Sequence, residues 1–388
     1  MGDRVRLALI CDLVEEGWPS MDLVGDMLFR YLSQDFEGEL VTSQLRPIMR
    51  RRLSHLPMLS RTALNFDRLM NRMVDYPRWL RQRSGEFDLF HIVDHSYAHL
   101  ALELVPGRTI VTCHDLNTFR CLLEPQQEKR SAWFRAMAGR ILDGMRRCAR
   151  VVCVSAAIKD EILRRDLVSP DRLVVVHNGA HPSCSPEPDL HADETAARLL
   201  RRNGGRLPSY LLHVGSVVPR KRIDVLLHIF AEVRKAFPDI RLVRVGGPFT
   251  EQQFELAGRL GLTDAIDVLP FLQRDVLAAV YRRASVLLQP SEAEGFGLPV
   301  VEALACGCPV IASDLPVFRE VGGGAIRFGP VGDITNWAEI AIRILHSQVK
   351  TPEVYERERC LGIRHAARFT WNNTAANLAG IYREVVTN

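Results

Sequence analysis

The chain has 388 residues, of which 47% are hydrophobic and 25% are charged, and its formal net charge at pH 7 is +4. This length exceeds one ordinary domain and predicts two domains of roughly 150 to 200 residues each. The small net charge gives nucleic acid binding no support, and no recognition motif accompanies it. No apolar run reaches the roughly 18 residues of a membrane-spanning helix or the form of a signal peptide, which predicts a cytoplasmic protein.

The N-terminal half alternates predicted strands and helices. The apolar run VRLALI, ending at Ile10, is the first predicted strand. The loop after it contains Gly17, which serves either as a close backbone approach to a ligand or as a plain turn. Further strands are predicted at 88–93, 109–113 and 151–155, each with the length of a buried strand.

Residues 46–83 carry ten arginines among apolar residues that include Leu56, Met58 and Phe66. Such a segment can hold an anionic, lipid-linked ligand or rest on a membrane surface. A helical hairpin with a solvated basic face is the alternative. The segment therefore predicts a possible peripheral membrane contact and leaves the choice open.

The C-terminal half begins after a Pro-, Gly- and charge-rich connection at 182–208. A strand at 210–215 is followed by Arg220 and Lys221 at the start of an amphipathic helix. Cationic side chains at that place can bind a diphosphate. The alternative is that they are solvated residues at the start of a helix. Strands at 241–246 and 266–269 follow.

A strand, loop, helix and strand are then predicted at 285–288, 290–297, 299–306 and 309–312. Pro299 suits a first helical position, and a glycine follows the helix end. The pattern predicts a β-α-β crossover, and in such sheets ligands collect at the carboxyl ends of the strands.

Two glutamates fall in this crossover. Glu294 lies in the loop and Glu302 in the helix that follows. Ionised carboxylates accept hydrogen bonds from sugar hydroxyls, and the free N–H groups at the helix start can hold an anion. A solvated loop residue and a complement to the helix dipole are the alternatives.

The residues around these glutamates closely resemble the signature of the retaining glycosyltransferases of the GT-B fold, specifically glycosyltransferase family 4. The matching residues are Glu294, Gly295, Phe296, Gly297, Leu298, Pro299, Glu302, Ala303, Gly307, Pro309 and Val310. The resemblance covers nearly the whole chain and is most specific at 209–325. It implies an α/β protein with two doubly wound, Rossmann-like domains facing across a cleft. It places an acceptor-side domain at 1–185, a nucleotide-sugar-binding domain at 205–369, and a last helix at 370–388 that returns to the first domain.

The resemblance also implies which residues hold a nucleotide-sugar donor. It puts Glu294 on the transferred sugar and Glu302 on the donor ribose. Ser216 stands where the family commonly has an arginine, which resembles a variant reading P-R-K in which Arg220 compensates. The implied donor-binding residues are Gly17, Gly215, Ser216, Arg220, Lys221, Gly246, Leu272, Phe296, Gly297, Leu298 and Glu302.

The acceptor side is less sharply defined. Asp94 and His95 end a predicted strand, where such an enzyme orients an acceptor hydroxyl, although Asp94 is equally well explained as a helix cap. The segment VTCHD resembles the family segment in which a histidine reaches the donor sugar, which makes His114 a sugar-positioning candidate.

No D-x-D motif supplies the usual aspartates for a metal-bound diphosphate, so the expectation is metal-independent transfer without a cofactor. The resemblance implies retention of configuration and a front-face displacement carried by positioning and electrostatics. The donor expected first is GDP-mannose, with a UDP-hexose next, and the acceptor is a glycan, a lipid-linked sugar or a small molecule. A GT-B sugar-nucleotide epimerase, a glycosyl phosphorylase and a non-catalytic nucleotide-sugar-binding scaffold remain as alternatives.

Overall fold

The computed structural model describes residues 4–53, 60–201 and 208–387. These residues form two compact units, one reaching to Asn178 and resuming at Trp371, the other running from Gly179 to Thr370. Residues 54–59 of the arginine-rich segment, including Leu56 and Met58, lie outside the described residues.

The first unit is built on a parallel sheet whose described strands run in the order β2-β1-β3-β4-β5-β6. The strands are β1 (Val5–Ile10), β2 (Leu40–Leu45), β3 (Leu89–Ile92), β4 (Thr109–Cys113), β5 (Arg150–Cys153) and β6 (Leu173–Val175). Its helices up to the end of β6 are α1 (Pro19–Asp35), α2 (Ser60–Met70), α3 (Tyr76–Arg83), α4 (Arg120–Leu123), α5 (Ala132–Arg147) and α6 (Ala156–Arg164). Every residue of β3 and β4 is buried, as expected for a parallel sheet covered on both faces.

The second unit has its own parallel sheet, in the order β12-β11-β10-β7-β8-β9 among the described residues. Its strands are β7 (Tyr210–Val214), β8 (Arg241–Val245), β9 (Ile266–Leu269), β10 (Val286–Gln289), β11 (Val310–Ser313) and β12 (Arg327–Gly329). The helices are α7 (Leu190–Leu200), α8 (Ile223–Ala236), α9 (Glu251–Arg259), α10 (Arg274–Arg283), α11 (Leu298–Ala305), α12 (Pro316–Gly322), α13 (Ile334–Lys350) and α14 (Pro352–Ala366). Its core includes Phe230 of α8 and Trp337 of α13, both fully buried.

The last helix, α15 (Trp371–Thr387), belongs to the first unit, as the resemblance implied. Tyr382 is buried, and its hydroxyl lies 2.6 Å from Nδ1 of His91 in β3. At the surface, Asn372 donates to Asp35 at the end of α1. The helix therefore covers the sheet of the first unit next to α1.

Three local expectations differ from the structure. Residues 60–83 form α2 and α3 joined by a π-helical turn (Asn71–Asp75), whereas residues 46–53 are not helical, so the described residues of the arginine-rich segment form no helical hairpin. The helix predicted after Asp94 is a 3₁₀ helix (His95–Glu103). The helical part of the predicted connection, α7, packs in the second unit against α10.

Two further points concern chemistry. In the described residues, no helix is long and apolar enough to cross a membrane. All nine cysteines carry free thiols, and eight of them are buried.

Candidate functional site

In the sheet of the second unit, the order in which the chain adds strands reverses between β7 and β10, which lie side by side and parallel. The chain leaves β7 toward strands on one side and returns through β10 to strands on the other. Loops after two such strands diverge and leave a crevice at their carboxyl ends, where ligands bind in open α/β sheets. Gly215 follows β7, and the loop holding Glu294 follows β10.

Glu294 is the centre of a polar group at this crevice. Nζ of Lys221 donates to its Oε1 through a short contact, and Nη1 of Arg220 lies 3.2 Å from its Oε2. The hydroxyl of Ser291 and the side-chain amide of Gln289 donate to Oε1 at 2.9 and 3.1 Å. The structure thus brings together three predicted site residues, Arg220, Lys221 and Glu294.

This arrangement fixes the charge of Glu294. Burial would raise the pKa of its carboxyl group, but the charges of Lys221 and Arg220 and the bonds from Lys221 and Ser291 outweigh burial and lower the pKa to about 2. The carboxylate is therefore ionised throughout the neutral range. An ionised carboxylate can accept hydrogen bonds from sugar hydroxyls, and the two cations beside it can bind a phosphate.

The start of α11 lies in the same loop. Gly297 caps the helix with φ of +89°, and a Cβ atom there would lie 2.7 Å from the ring of Phe318, so glycine is required on both counts. Leu298 is the first helical residue, one position earlier than predicted, and Phe296 packs edge-on against Phe369. The helix thus begins four residues after Glu294, in the loop that carries this carboxylate.

Glu302 occupies a different environment. It is the fifth residue of α11, 2% exposed, with the hydroxyl of Tyr281 donating to it at 3.2 Å and Arg274 3.7 Å away. Burial raises the pKa of its carboxyl group, against the opposing effects of Arg274 and Tyr281. Because α11 begins at Leu298, one residue earlier than predicted, Glu302 lies just after the first helical turn. Its role on the donor ribose stays a prediction.

Two glycine turns meet on the β7 side of the crevice. A Cβ atom on Gly246 would lie 2.2 Å from the carbonyl oxygen of Gly215, so this close approach requires glycine. Ser216 is exposed beside them, and Leu272 is half-buried in the loop after β9. Their donor contacts stay predictions.

In the first unit, the strand order reverses between β1 and β3 in the same way. Asp12 follows β1, Asp94 follows β3, and His114 follows β4. Arg72 lies among them: its Nη1 is 3.4 Å from Glu16, and its guanidinium stacks on the ring of Tyr97 at 4.2 Å. This second polar group therefore also occupies a switch point of a parallel sheet.

Asp94 and His95 form a pair. Nδ1 of His95 lies 3.1 Å from Oδ1 of Asp94, and the backbone N–H of Ser96 donates to the same carboxylate at 3.0 Å. Burial opposes charge on both, but their mutual attraction lowers the pKa of Asp94 and raises the pKa of His95. The capping interpretation of Asp94 is thus confirmed, and the acceptor role stays a prediction.

His114 keeps a neutral ring. Its Nε2 lies 2.8 Å from the carbonyl oxygen of Val93, which makes Nε2 the protonated nitrogen. Burial lowers the pKa of the imidazole, partly offset by Asp94. Nδ1 is then the ring atom that can accept a hydrogen bond from a hydroxyl group, which suits the predicted sugar-positioning role.

Gly17 is a turn residue. It ends a 3₁₀ turn (Val14–Glu16) with φ of +71°, and its N–H donates to the carbonyl of Val14 at 3.0 Å. That bond occupies the N–H that would have approached a phosphate. The structure shows Gly17 in a turn, and its donor contact stays a prediction.

The sequence analysis missed Asp12. Its side chain is 4% exposed, and in the described structure its Oδ2 has no hydrogen-bond partner. Burial and the neighbouring carboxylate of Asp94 raise its pKa well above the usual value, against the effect of Arg72. The signal was present, since Asp12 directly follows a buried strand at the sheet's switch point.

Replacing Asp12 by Asn is expected to stabilise the protein increasingly as the pH rises. The unfolded carboxyl titrates near pH 4, so with a raised folded-state pKa the wild type loses stability from about pH 4 upward. Urea unfolding of both proteins between about pH 4 and 8 measures the difference. Asp143→Asn, at an exposed carboxylate in α5, is the matched control. A difference between wild type and D12N that stays constant with pH would contradict the expectation.

No metal position emerges from the side chains. Over residues 4–53, 60–201 and 208–387, no group of three or more His, Cys, Asp or Glu has the arrangement to hold an ion.

Two family models match the chain. The model described as Glycosyl transferases group 1 matches residues 204–359, and the model described as Glycosyltransferase Family 4 matches residues 30–184. The first match contains the Glu294 group, and the second contains Asp94, His95 and His114. Each unit thus carries one of the two models.

Similar proteins agree with these matches. A D-inositol 3-phosphate glycosyltransferase from Streptomyces bingchenggensis is 36% identical over 61% of this chain and 53% of its own length. A phosphatidyl-myo-inositol mannosyltransferase from Mycobacterium leprae is 30% identical over 80% of this chain and 76% of its own length. The chain spans about half the length of the curated inositol-phosphate relatives that it matches.

A solved structure shows the same fold. Sucrose-phosphate synthase from Thermosynechococcus elongatus is similar with a TM-score of 0.75 and 19% identity, over 99% of this chain and 100% of that chain. The predicted GT-B fold is confirmed by this likeness. Together with the two matched models and the mycobacterial relative, it shows that the chain belongs to the group 1 glycosyl transferases of glycosyltransferase family 4.

Proposed function

We propose that the chain is a retaining, metal-independent hexosyltransferase that moves a sugar from a nucleotide-diphosphate donor to a hydroxyl acceptor. The observation that carries the proposal is the ionised carboxylate of Glu294, held by Lys221 and Arg220 at the switch point beside the start of α11. A diphosphate and a sugar need these groups together: cations and N–H donors for the first, a carboxylate for the second.

The chemistry follows from charge. As the bond between sugar and phosphate breaks, negative charge grows on the leaving diphosphate, and Lys221 and Arg220 stabilise it. Both cations contact the Glu294 carboxylate, which gives the buried Lys221 an opposite charge. When a diphosphate arrives, the cations are shared between it and Glu294, and the carboxylate accepts hydroxyl groups of the sugar.

GDP-mannose is the donor proposed first, with a UDP-hexose as the alternative. The P-R-K sequence at Pro219–Lys221 inclines the choice toward GDP-mannose, and one relative is named a mannosyltransferase. The names of the relatives add inositol phosphate and its lipid to the candidate acceptors, beside a growing glycan. Polysaccharide or envelope-lipid assembly is the proposed setting.

Peripheral contact with the cytoplasmic face of a membrane is part of the proposal. Near the turn of Gly17, Trp18 and Ile48 are 55% and 85% exposed. Arg68 of α2 donates to the carbonyls of Glu15 and Glu16 in the same turn, and Met49 donates its N–H to the Glu15 carboxylate. Exposed apolar side chains among arginines are typical of surfaces that rest on anionic lipid.

The test of the proposal is a thermal-shift screen of the purified protein against UDP, GDP, ADP and their common sugars, with and without EDTA. A ligand that binds the native state raises the free energy of unfolding by about RT ln(1 + [L]/Kd), and the melting temperature rises with it. The expected result is a selective shift for GDP or UDP compounds that survives EDTA. No shift with any of them, or a shift abolished by EDTA, would contradict the proposed metal-independent transferase.

The donor so identified is then incubated with candidate acceptors. A new glycosidic product separates transfer from epimerisation, which converts the donor without an acceptor. Binding without any turnover would favour a scaffold.

A further inference from the structure

A buried cation lies directly beneath the two glycine turns of the second unit. Arg244 belongs to β8 and is fully buried. Its Nη2 donates to the carbonyl of Gly215 at 2.9 Å, and its Nη1 donates to the carbonyl of Gly247 through a short contact. Its guanidinium also stacks on Phe249 at 5.3 Å. A single side chain thus bridges the turn after β7 and the turn after β8.

The charge of Arg244 is not compensated by a carboxylate. Among the described residues it takes part in no ion pair, and its Nε has no hydrogen-bond partner. Burial is the cause acting on its pKa, which it lowers to about 10, so the guanidinium still carries its charge at neutral pH. An unpaired buried charge is strongly destabilising, and a bound group of opposite charge would offset that cost.

A titratable side chain opposite Arg244 in the sheet does not balance its charge. His213 in β7 stands opposite Arg244 in the sheet and is fully buried. Neither ring nitrogen has a partner within the described structure. Burial, Arg244 and Lys221 all lower the pKa of His213, so its ring is neutral.

These side chains converge on the Gly215 turn. A Cβ atom placed on Gly215 would lie 3.4 Å from Cε1 of His213 and 3.6 Å from Cε of Lys221. Arg244 holds the carbonyl of the same turn. The cationic side chains of Arg244 and Lys221 and the neutral ring of His213 therefore all lie close to Gly215.

We propose that Arg244 is a positioning residue whose buried charge is balanced by the diphosphate of the bound donor. The inference rests on the proposed function, which places the diphosphate at Lys221, and Cε of Lys221 lies beside the Gly215 turn. Arg244 acts through the two turns that it fixes and through the potential that it creates, without touching the donor. Binding of the dianionic group then supplies the opposite charge that the free protein lacks.

The test compares nucleoside monophosphate and diphosphate binding in wild type, Arg244→Met and Arg244→Lys. The probes are UMP and UDP, or GMP and GDP, whichever pair the wild type binds, with Kd measured by calorimetry. Arg244→Met is expected to lower the preference for the diphosphate over the monophosphate roughly 10-fold. Arg244→Lys keeps the charge and is expected to keep most of the preference.

Arg244→Gln serves if the Met variant does not fold, since it keeps an N–H donor for Gly215 without the charge. Equal weakening of both nucleotides, or equal loss in the Lys and Met variants, would overturn the inference and leave Arg244 a purely structural bridge. A wild type that binds none of the four nucleotides would instead refute the proposed function itself. The two failures are therefore distinguishable.

Discussion

Replacing Glu294 by Gln is expected to lower kcat for transfer by roughly 10²- to 10³-fold while the protein stays folded. Gln retains the shape of the side chain and can still accept from Ser291. It removes the negative charge that orients the sugar hydroxyls. The affinity for a nucleoside diphosphate is expected to stay equal or to rise, because Lys221 and Arg220 no longer share their charge with a carboxylate.

The measurements are kcat at saturating donor and the Kd of the nucleotide. Glu292→Gln is the matched control: it lies two residues away, is 44% exposed in its side chain and pairs with Arg222. This control is expected to behave as the wild type does. Full transfer activity in E294Q would contradict the role given to Glu294.

The same variant has a distinct pH signature. The folded-state pKa of Glu294 is about 2, below its unfolded value, so its charge stabilises the native state fully above about pH 4.5. That contribution is lost as the pH falls through 2. The stability difference between wild type and E294Q should therefore be constant from about pH 5 upward and shrink in acid, as acid and urea titrations can follow.

Most of the strands were predictable from the sequence because they are short apolar runs that the parallel sheets bury on both faces. The bounds of β4 and β9 match the prediction. Two edge strands were missed for physical reasons. β2 reads LVTSQL and is partly exposed, so its apolar pattern is weak, and β12 has three residues. Partial exposure and short length weaken the apolar pattern that indicates a strand in a sequence.

The site was predictable in its parts but not in its pairing. The resemblance singled out Glu294 and Lys221, yet it had assigned one to the sugar and the other to the diphosphate, separately. Their contact depends on the adjacency of β7 and β10, which are far apart in the sequence. Asp12 and Arg244 are lone charges next to or within apolar strands, and sheet topology gives them their neighbours.

Replacing Lys221 by Met is expected to weaken nucleoside diphosphate binding by roughly 30-fold or more, since a buried charge pair contributes on the order of 2 to 5 kcal/mol when one partner is truncated. The lysine is 7% exposed and donates directly to Glu294. Without it, Glu294 remains buried beside Arg220 and loses the charge that most lowers its pKa. We therefore expect the pKa of Glu294 to rise and the free energy of unfolding to fall by about 2 to 4 kcal/mol.

The double variant K221M/E294Q separates the two effects. Removing the stranded carboxylate should restore part of the stability lost in K221M, because the two side chains are coupled. Transfer activity should remain lost in the double variant, since neither the cation nor the carboxylate is present. Lys235→Met, at an exposed lysine of α8 that pairs with Glu232, is the control and should change stability by less than about 0.5 kcal/mol. A K221M protein that binds the diphosphate as tightly as the wild type would show that Arg220 and the start of α11 suffice, and would remove Lys221 from the donor site.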